Sequence, residues 1–179
     1  MADWEQVLDE LVRTRGRNLV RYAALLTGDA RSAEDLVQDA LVRCFGAGRT
    51  LREVGAAEAY VRKAILSTFL DGHRRRLRWS GVLHLVARDE YADGPESSGP
   101  ARHDVRAALL TLRPRLRACV VLRFYDDLTV PEIARRLELS EGTVKRYLSD
   151  ATALLERLLG PISDGHTVDV QLVPSGGNR

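Results

Sequence analysis

The chain has 179 residues, of which 45% are hydrophobic and 29% charged, a composition that suits one globular domain or two small ones. No apolar run approaches the ~20 residues of a membrane span, and the acidic start MADWEQVLDE lacks a signal peptide's apolar segment, so we expect a cytoplasmic protein. The sequence shows no metal-ligand spacing, nucleotide-binding glycine loop or nucleophile–base pair, which predicts no cofactor, no metal site and no enzyme activity.

The charge is unevenly distributed, although the net charge is only +2. Residues 46–79 contain eight Arg or Lys against three Asp or Glu, and residues 105–160 contain ten against seven. Residues 80–104, between them, contain two against five. Two basic blocks separated by an acidic one indicate two contact surfaces for nucleic acid, joined by a different kind of segment.

Helical periodicity dominates the chain before about residue 165 and predicts an all-α fold. The first two predicted helices span residues 4–15 and 17–26. Ser32 opens a third, whose apolar residues follow the i, i+3, i+4, i+7 rule and which ends at Gly46: Ala33, Leu36, Val37, Ala40, Leu41, Cys44 and Phe45. A fourth spans residues 56–78 and ends in the basic run RRRLR.

The second half is predicted to begin with a linker. Residues 80–104 are acidic and rich in Gly, Ser and Pro, which is typical of a flexible segment. Helices are predicted again at residues 104–111 and 115–125, with Pro114 in a first helical turn. Residues 161–179 are predicted to be a disordered tail. Cys44 and Cys119 both fall on apolar stripes, which favours buried thiols over a redox switch.

Residues 128–158 have the pattern of a helix-turn-helix. Thr129 and Glu132 form a capping-box pair, the pattern breaks after Leu137, and Ser140 caps a second helix. In such a motif the second helix enters the DNA major groove. Its candidate DNA contacts lie outside the apolar stripe: Glu141, Thr143, Lys145, Arg146 and Ser149. The alternative at this point is an ordinary helical hairpin of an all-α domain.

Three segments together resemble the extracytoplasmic-function class of bacterial sigma factors, the minimal class of the sigma-70 family: AEDLVQDALVRCF, AYVRKAILSTFLDGHRRR and TVPEIARRLELSEGTVKRYLSDA. The sequences of these segments are closest to those of the actinobacterial branch. The content of 25 Arg against 2 Lys agrees with a GC-rich genome. The resemblance covers about residues 15–160. It implies a sigma region 2 helical bundle at residues 1–79 and a sigma region 4 helix-turn-helix at 105–160, joined by the flexible linker at 80–104.

The resemblance also implies a partner for the third predicted helix. In this family that helix binds the β′ clamp helices of core RNA polymerase, of which the β subunit is a further expected contact. The polar face here carries Glu34, Asp35, Gln38 and Asp39. Such an acidic face suits a basic protein surface, but a solvated face with acids near a helix N-terminus has the same pattern.

The next helix captures the −10 promoter element in this family, where the non-template strand is unpaired and a base is flipped out. That task requires cations for phosphates and a pocket for the base. The candidates are Arg62, Lys63, Ser67, Asp71, Arg74, Arg75 and Arg76, with Arg78 as a further cation. Ser67 stands where many relatives carry Asn, which leaves the preferred −10 bases open.

The helix-turn-helix would read the −35 element. Lys145 and Arg146 are candidates for phosphate or guanine contacts, with Thr143 and Ser149 as shorter partners. Glu141 either accepts from a cytosine amine or only favours the helix dipole. The implied function is an RNA polymerase sigma factor that directs promoter-specific transcription initiation, with promoter DNA and an anti-sigma factor as further partners. The alternatives are a dimeric helix-turn-helix regulator of a palindromic operator and an adaptor that binds only protein.

Overall fold

The computed structural model describes residues 3–46, 53–80 and 100–160, and in these ranges the chain folds into seven α-helices and no strand. The predicted all-α fold is therefore confirmed. The larger part of the predicted linker and the predicted tail lie outside the described residues. Among the helices that are described, none combines the length and hydrophobicity needed to cross a lipid bilayer.

Helices α1 (Asp3–Thr27), α2 (Ala30–Phe45) and α3 (Val54–Ser80) pack pairwise into a bundle that we call the N-terminal module. The predicted boundary at residue 16 is wrong, because α1 is continuous through Gly16. Leu11 and Leu19 on either side of it are both fully buried on the same face. Packing of this continuous stripe outweighs the roughly 1 kcal/mol by which a glycine weakens a helix.

Helix α2 confirms the predicted apolar stripe, with every member buried except the half-buried Leu41. Its predicted start at Ser32 is wrong, since the helix begins at Ala30 with Asp29 as its N-cap. The Asp29 carboxylate accepts a hydrogen bond of 2.7 Å from the Ser32 N–H. Ser32 is thus the residue whose amide is capped rather than the residue that caps.

Helices α4 (Pro100–Thr111), α5 (Pro114–Phe124), α6 (Val130–Leu137) and α7 (Glu141–Leu159) form the C-terminal module, in which α7 packs against the other three. Helix α4 begins at Pro100, before the predicted start at residue 104. Pro114 occupies the first turn of α5 as predicted. It is harmless there because a first-turn N–H has no partner within its own helix.

The turn between α6 and α7 forms through the signals present in the sequence. The Thr129 N–H and hydroxyl donate to the Glu132 carboxylate over 2.8 and 2.6 Å. Beyond α6, Glu138 has a φ of 55°, and the Leu139 N–H donates to the Ala134 carbonyl over 2.9 Å. Ser140 then accepts from the Thr143 N–H over 3.1 Å, which starts α7.

The two modules pack against each other through α1, which contacts α4 and α5, and through α3, which contacts α5. A single apolar cluster contains Leu19 and Leu26 of α1 together with Cys119 and Leu122 of α5. Leu25 of α1 also packs against a second cluster formed by α4, α5 and α7. The sequence predicts two modules on a tether, and the structure adds a shared core between them.

Replacing Ser140 with Ala removes the N-cap of α7 and should lower the free energy of unfolding by about 1 kcal/mol, because the Thr143 amide loses its acceptor. Urea titration followed by circular dichroism measures this change. Ser149→Ala is the matched control, since Ser149 is exposed in the interior of α7 and alanine favours a helix there. An equal loss in both variants would contradict the capping role.

Candidate nucleic-acid and partner interfaces

The polar face predicted on α2 lies on the solvent side of the helix. Glu34, Asp35, Gln38 and Asp39 are all exposed, opposite the buried stripe. Val42 lies among them at the helical repeat and is 69% exposed. Val42 is absent from the residues predicted for this face. Its position outside the regular apolar stripe could have identified it as an exposed apolar residue. The face therefore has an exposed apolar residue at its C-terminal end, one turn beyond Gln38 and Asp39.

Helix α3 brings only some of the predicted −10 residues onto one face. At 3.6 residues per turn, Lys63, Ser67, Asp71 and Arg74 fall along one side of the helix, with Arg75 next to them. Lys63, Asp71, Arg74 and Arg75 are exposed. Arg74 forms an ion pair of 3.5 Å with Asp71, and the Ser67 hydroxyl donates to the Ala64 carbonyl over 3.1 Å.

The other two described arginines of this predicted set, Arg62 and Arg76, lie outside this row, on another side of α3. Arg76 is exposed, whereas the Arg62 side chain is 19% exposed and paired with Glu58 and Asp126. Burial opposes the charge of Arg62, but hydrogen bonds and charge from these carboxylates leave its pKa raised. The side chain of Arg78 lies outside the described residues.

Helix α7 presents four of its five predicted DNA contacts to solvent: Glu141, Lys145, Arg146 and Ser149 are exposed. They lie opposite the buried Val144, Ala151 and Leu155, so the face is free of core side chains. The Arg146 guanidinium carbon lies 5.7 Å from the centroid of the Tyr147 ring, which restricts this long side chain.

Thr143 has a different environment from the other four. It is half-buried, and its hydroxyl lies 2.8 Å from the Ser140 hydroxyl. At the helical repeat it falls beside the face rather than within it. The structure therefore places Thr143 at the start of α7 as part of the turn, with its side chain already hydrogen-bonded.

Both cysteines are free and buried, as predicted. Burial raises the pKa of Cys119 to about 11, so its thiol is protonated at neutral pH and a poor nucleophile. The described residues contain no group of three or more His, Cys, Asp or Glu side chains able to hold a metal ion.

Comparisons with known proteins match both modules. The family described as sigma-70 region 2 matches residues 11–79, and the family described as sigma-70, region 4 matches residues 102–155. The RNA polymerase sigma-E factor of Streptomyces coelicolor is 34% identical over 155 residues, which cover 84% of this chain and 85% of the relative. The ECF RNA polymerase sigma factor SigM of Mycobacterium tuberculosis is 30% identical, over 88% of this chain and 79% of the relative.

A solved structure shows the same fold. The sigma factor RpoE of Bartonella quintana, in complex with the anti-sigma factor NepR, superposes with a TM-score of 0.65 at 24% identity, over 89% of this chain and 98% of that one. The chain therefore belongs to the extracytoplasmic-function class of the sigma-70 family, the RNA polymerase sigma factors that act in promoter recognition.

Proposed function

We propose that this chain directs initiation at specific promoters in the cytoplasm by docking on core polymerase through α2, with α3 contacting the −10 element and α7 the −35 element. It is a specificity subunit and not itself an enzyme. One observation carries the proposal: α2, α3 and α7 each turn a polar face to solvent where the family resemblance requires a contact. We assign the −10 and −35 roles to the N-terminal and C-terminal modules, respectively.

The α2 face has the composition of a protein interface. The exposed Val42, one turn beyond Gln38 and Asp39, gives apolar area that water leaves on docking, next to groups that pair with a basic partner. The acids also steer association with a positively charged coiled-coil tip such as the β′ clamp helices. We also propose that the N-terminal module contacts the β subunit of core polymerase.

The double variant Asp35→Ala with Gln38→Arg should weaken binding to core polymerase about tenfold or more, because it removes one acid and adds a cation at the centre of the face. Fluorescence anisotropy of the labelled chain against purified core gives the affinity. Asp9→Ala with Gln6→Arg is the matched control: both residues are exposed on α1, with the same spacing and the same change of charge. Equal affinities of the two double variants would exclude the α2 face as the docking surface.

Helix α3 supports a −10 contact through cations that can exchange partners. Arg74 and Asp71 are more than half exposed, so their ion pair is weak in water and a phosphate can replace the carboxylate. Lys63 and Arg75 extend the same surface. The hydroxyl of Ser67, within this row, is a short-range partner for an unpaired base.

Helix α7 supports a −35 contact through its exposed N-terminal half. Lys145 and Arg146 are the cations of this face, and Ser149 lies one turn further along. Arg146 has the planar fork that pairs with the O6 and N7 of guanine, while Lys145 acts as a point charge on phosphate. The Glu141 carboxylate lies near the start of the helix, where it favours the dipole even without a base contact.

Arg146→Ala should reduce transcription from a cognate promoter by roughly tenfold and relax selectivity at one −35 position, because a bidentate pair with guanine is lost. A promoter library randomised across the −35 element measures both effects. Arg157→Ala, at an exposed position in the last turn of the same helix, should change neither. A uniform loss over all −35 sequences would instead assign Arg146 to phosphate.

We also propose an anti-sigma factor as a partner. The polar faces of α2, α3 and α7 are exposed and charged, so a protein that covers any of them prevents docking or promoter contact. The solved relative from Bartonella quintana is in complex with such a factor.

Run-off transcription with core polymerase tests the whole proposal. Genomic fragments transcribed with and without the chain should give discrete new start sites only when it is present, preceded by common −10 and −35 sequences. Band shifts with the chain alone form the second arm. Stable sequence-specific binding to duplex DNA without core enzyme would favour the dimeric regulator, and no gain in start-site choice would overturn the sigma-factor function.

A further inference from the structure

A cleft beside the C-terminal half of α1 is lined by three arginines, and we call it the arginine cleft. Arg17 and Arg21 lie one turn apart on α1, and Arg106 lies on α4, which packs against α1. The cleft has a volume of about 430 Å³, which is within the range of small-molecule sites in proteins. None of these arginines belongs to the polar faces of α2, α3 and α7, so their role is outside the proposed function.

The guanidinium groups of the arginine cleft are available to a ligand. Arg17 and Arg21 are exposed, and neither forms an ion pair with a residue in the described parts of the chain. Arg106 donates from Nε to the Gly28 carbonyl over 2.5 Å, which fixes this half-buried side chain at the cleft and leaves its Nη1 and Nη2 as donors. Like charges at i and i+4 of a helix repel each other, so an anion that bridges Arg17 and Arg21 is favoured.

The remaining lining of the arginine cleft suits the uncharged part of a ligand. Apart from the arginines, it consists of three apolar residues and one carboxylate: Val20, Ala24, Ala30 and Glu34. Ala30 is the first residue of α2, and the first amides of a helix have no acceptor within it. The Asp29 side chain caps only the Ser32 amide, so the Ala30 amide remains as a further donor at the cleft.

We propose that the arginine cleft binds a nucleoside diphosphate, with the phosphates held by Arg17, Arg21 and Arg106. The planar guanidinium group pairs with phosphate through two parallel hydrogen bonds, which makes arginine well suited to this anion. Val20 and Ala24 then contact carbon atoms of the sugar and base. The Glu34 carboxylate accepts a hydrogen bond from a sugar hydroxyl or a base amine.

The composition of the arginine cleft favours a nucleotide over an inorganic anion. Inorganic phosphate would leave most of the volume and all of the apolar lining without a contact. A long inorganic polyphosphate would extend its charge toward Glu34, whose carboxylate repels it. A molecule with a short charged end and a neutral polar body avoids both problems.

Equilibrium dialysis of the full-length chain with radiolabelled ADP tests the arginine cleft. Binding should saturate, and unlabelled ADP should displace the label at least about tenfold more effectively than pyrophosphate or adenosine, because each of these lacks one part of the ligand. Arg17→Ala with Arg21→Ala should weaken binding about tenfold or more, since two of the three phosphate partners are lost. Arg13→Ala with Arg135→Ala is the matched control: both arginines are exposed, neither lines the cleft, and the change of charge is the same.

A second double variant, Arg17→Lys with Arg21→Lys, separates paired hydrogen bonds from general attraction between charges. It keeps both charges but removes the planar forks, so ADP should bind roughly fivefold or more weakly than to the wild type. Circular dichroism should show unchanged helix content in each variant. If the alanine pair loses helix content, the lysine pair alone decides the outcome.

Three results would overturn the proposal. The first is the absence of saturable ADP binding below about 1 mM. The second is an equal loss of affinity in the alanine pair and its control, or an unchanged affinity in the lysine pair, because either result indicates only attraction of an anion to a basic surface. The third is displacement by pyrophosphate as effective as that by ADP, which would reject the nucleoside part of the ligand.

Discussion

Helix α1 is the element on which both modules are built. One side of it packs against α2 and α3, and its C-terminal half also contacts α4 and α5. Four residues of this half are fully buried: Leu19, Tyr22, Ala23 and Leu26. Two helices packed alone in water would leave part of these side chains exposed. Modules of this size each bury little apolar area, so the area shared along α1 stabilises both. The contact orients α2 and α3 directly, and it orients α7 through α4 and α5, against which α7 packs.

The outward faces follow from the width of the buried stripes. In α2 the stripe occupies somewhat less than half of the helix surface, which leaves Glu34, Asp35, Gln38 and Asp39 directed to solvent. In α7 the buried Val144, Ala151 and Leu155 leave the opposite side to Lys145 and Arg146. The core and the polar faces are thus two consequences of one helical period. A substitution on a polar face should have little effect on packing, whereas one in the stripe should disturb the core.

The sequence predicted what is encoded locally. The α2 stripe depends on the helical repeat, and the turn before α7 depends on Thr129, Glu132 and Ser140 acting over three residues. The boundary at residue 16 was wrong because a glycine's local preference was outweighed by packing from other helices. The predicted start of α2 at Ser32 was wrong because Asp29 and Ser32 can both precede a helix and only geometry separates them. The partner of Arg62 lies 64 residues away, and no local pattern encodes such a contact.

Arginines of one basic helix therefore have different chemistry. Arg74 and its carboxylate partner are exposed, so water screens them and exchange for phosphate costs little. Arg62 is sheltered between two carboxylates and two rings, of which Asp126 and Tyr125 belong to the other module. The charge of +5 counted along residues 46–79 therefore overstates the cations that solvent reaches, because Arg62 is sheltered. Since phosphate binding depends on accessible cations, a polyanion would meet the exposed Lys63, Arg74 and Arg75 on this helix before the sheltered Arg62.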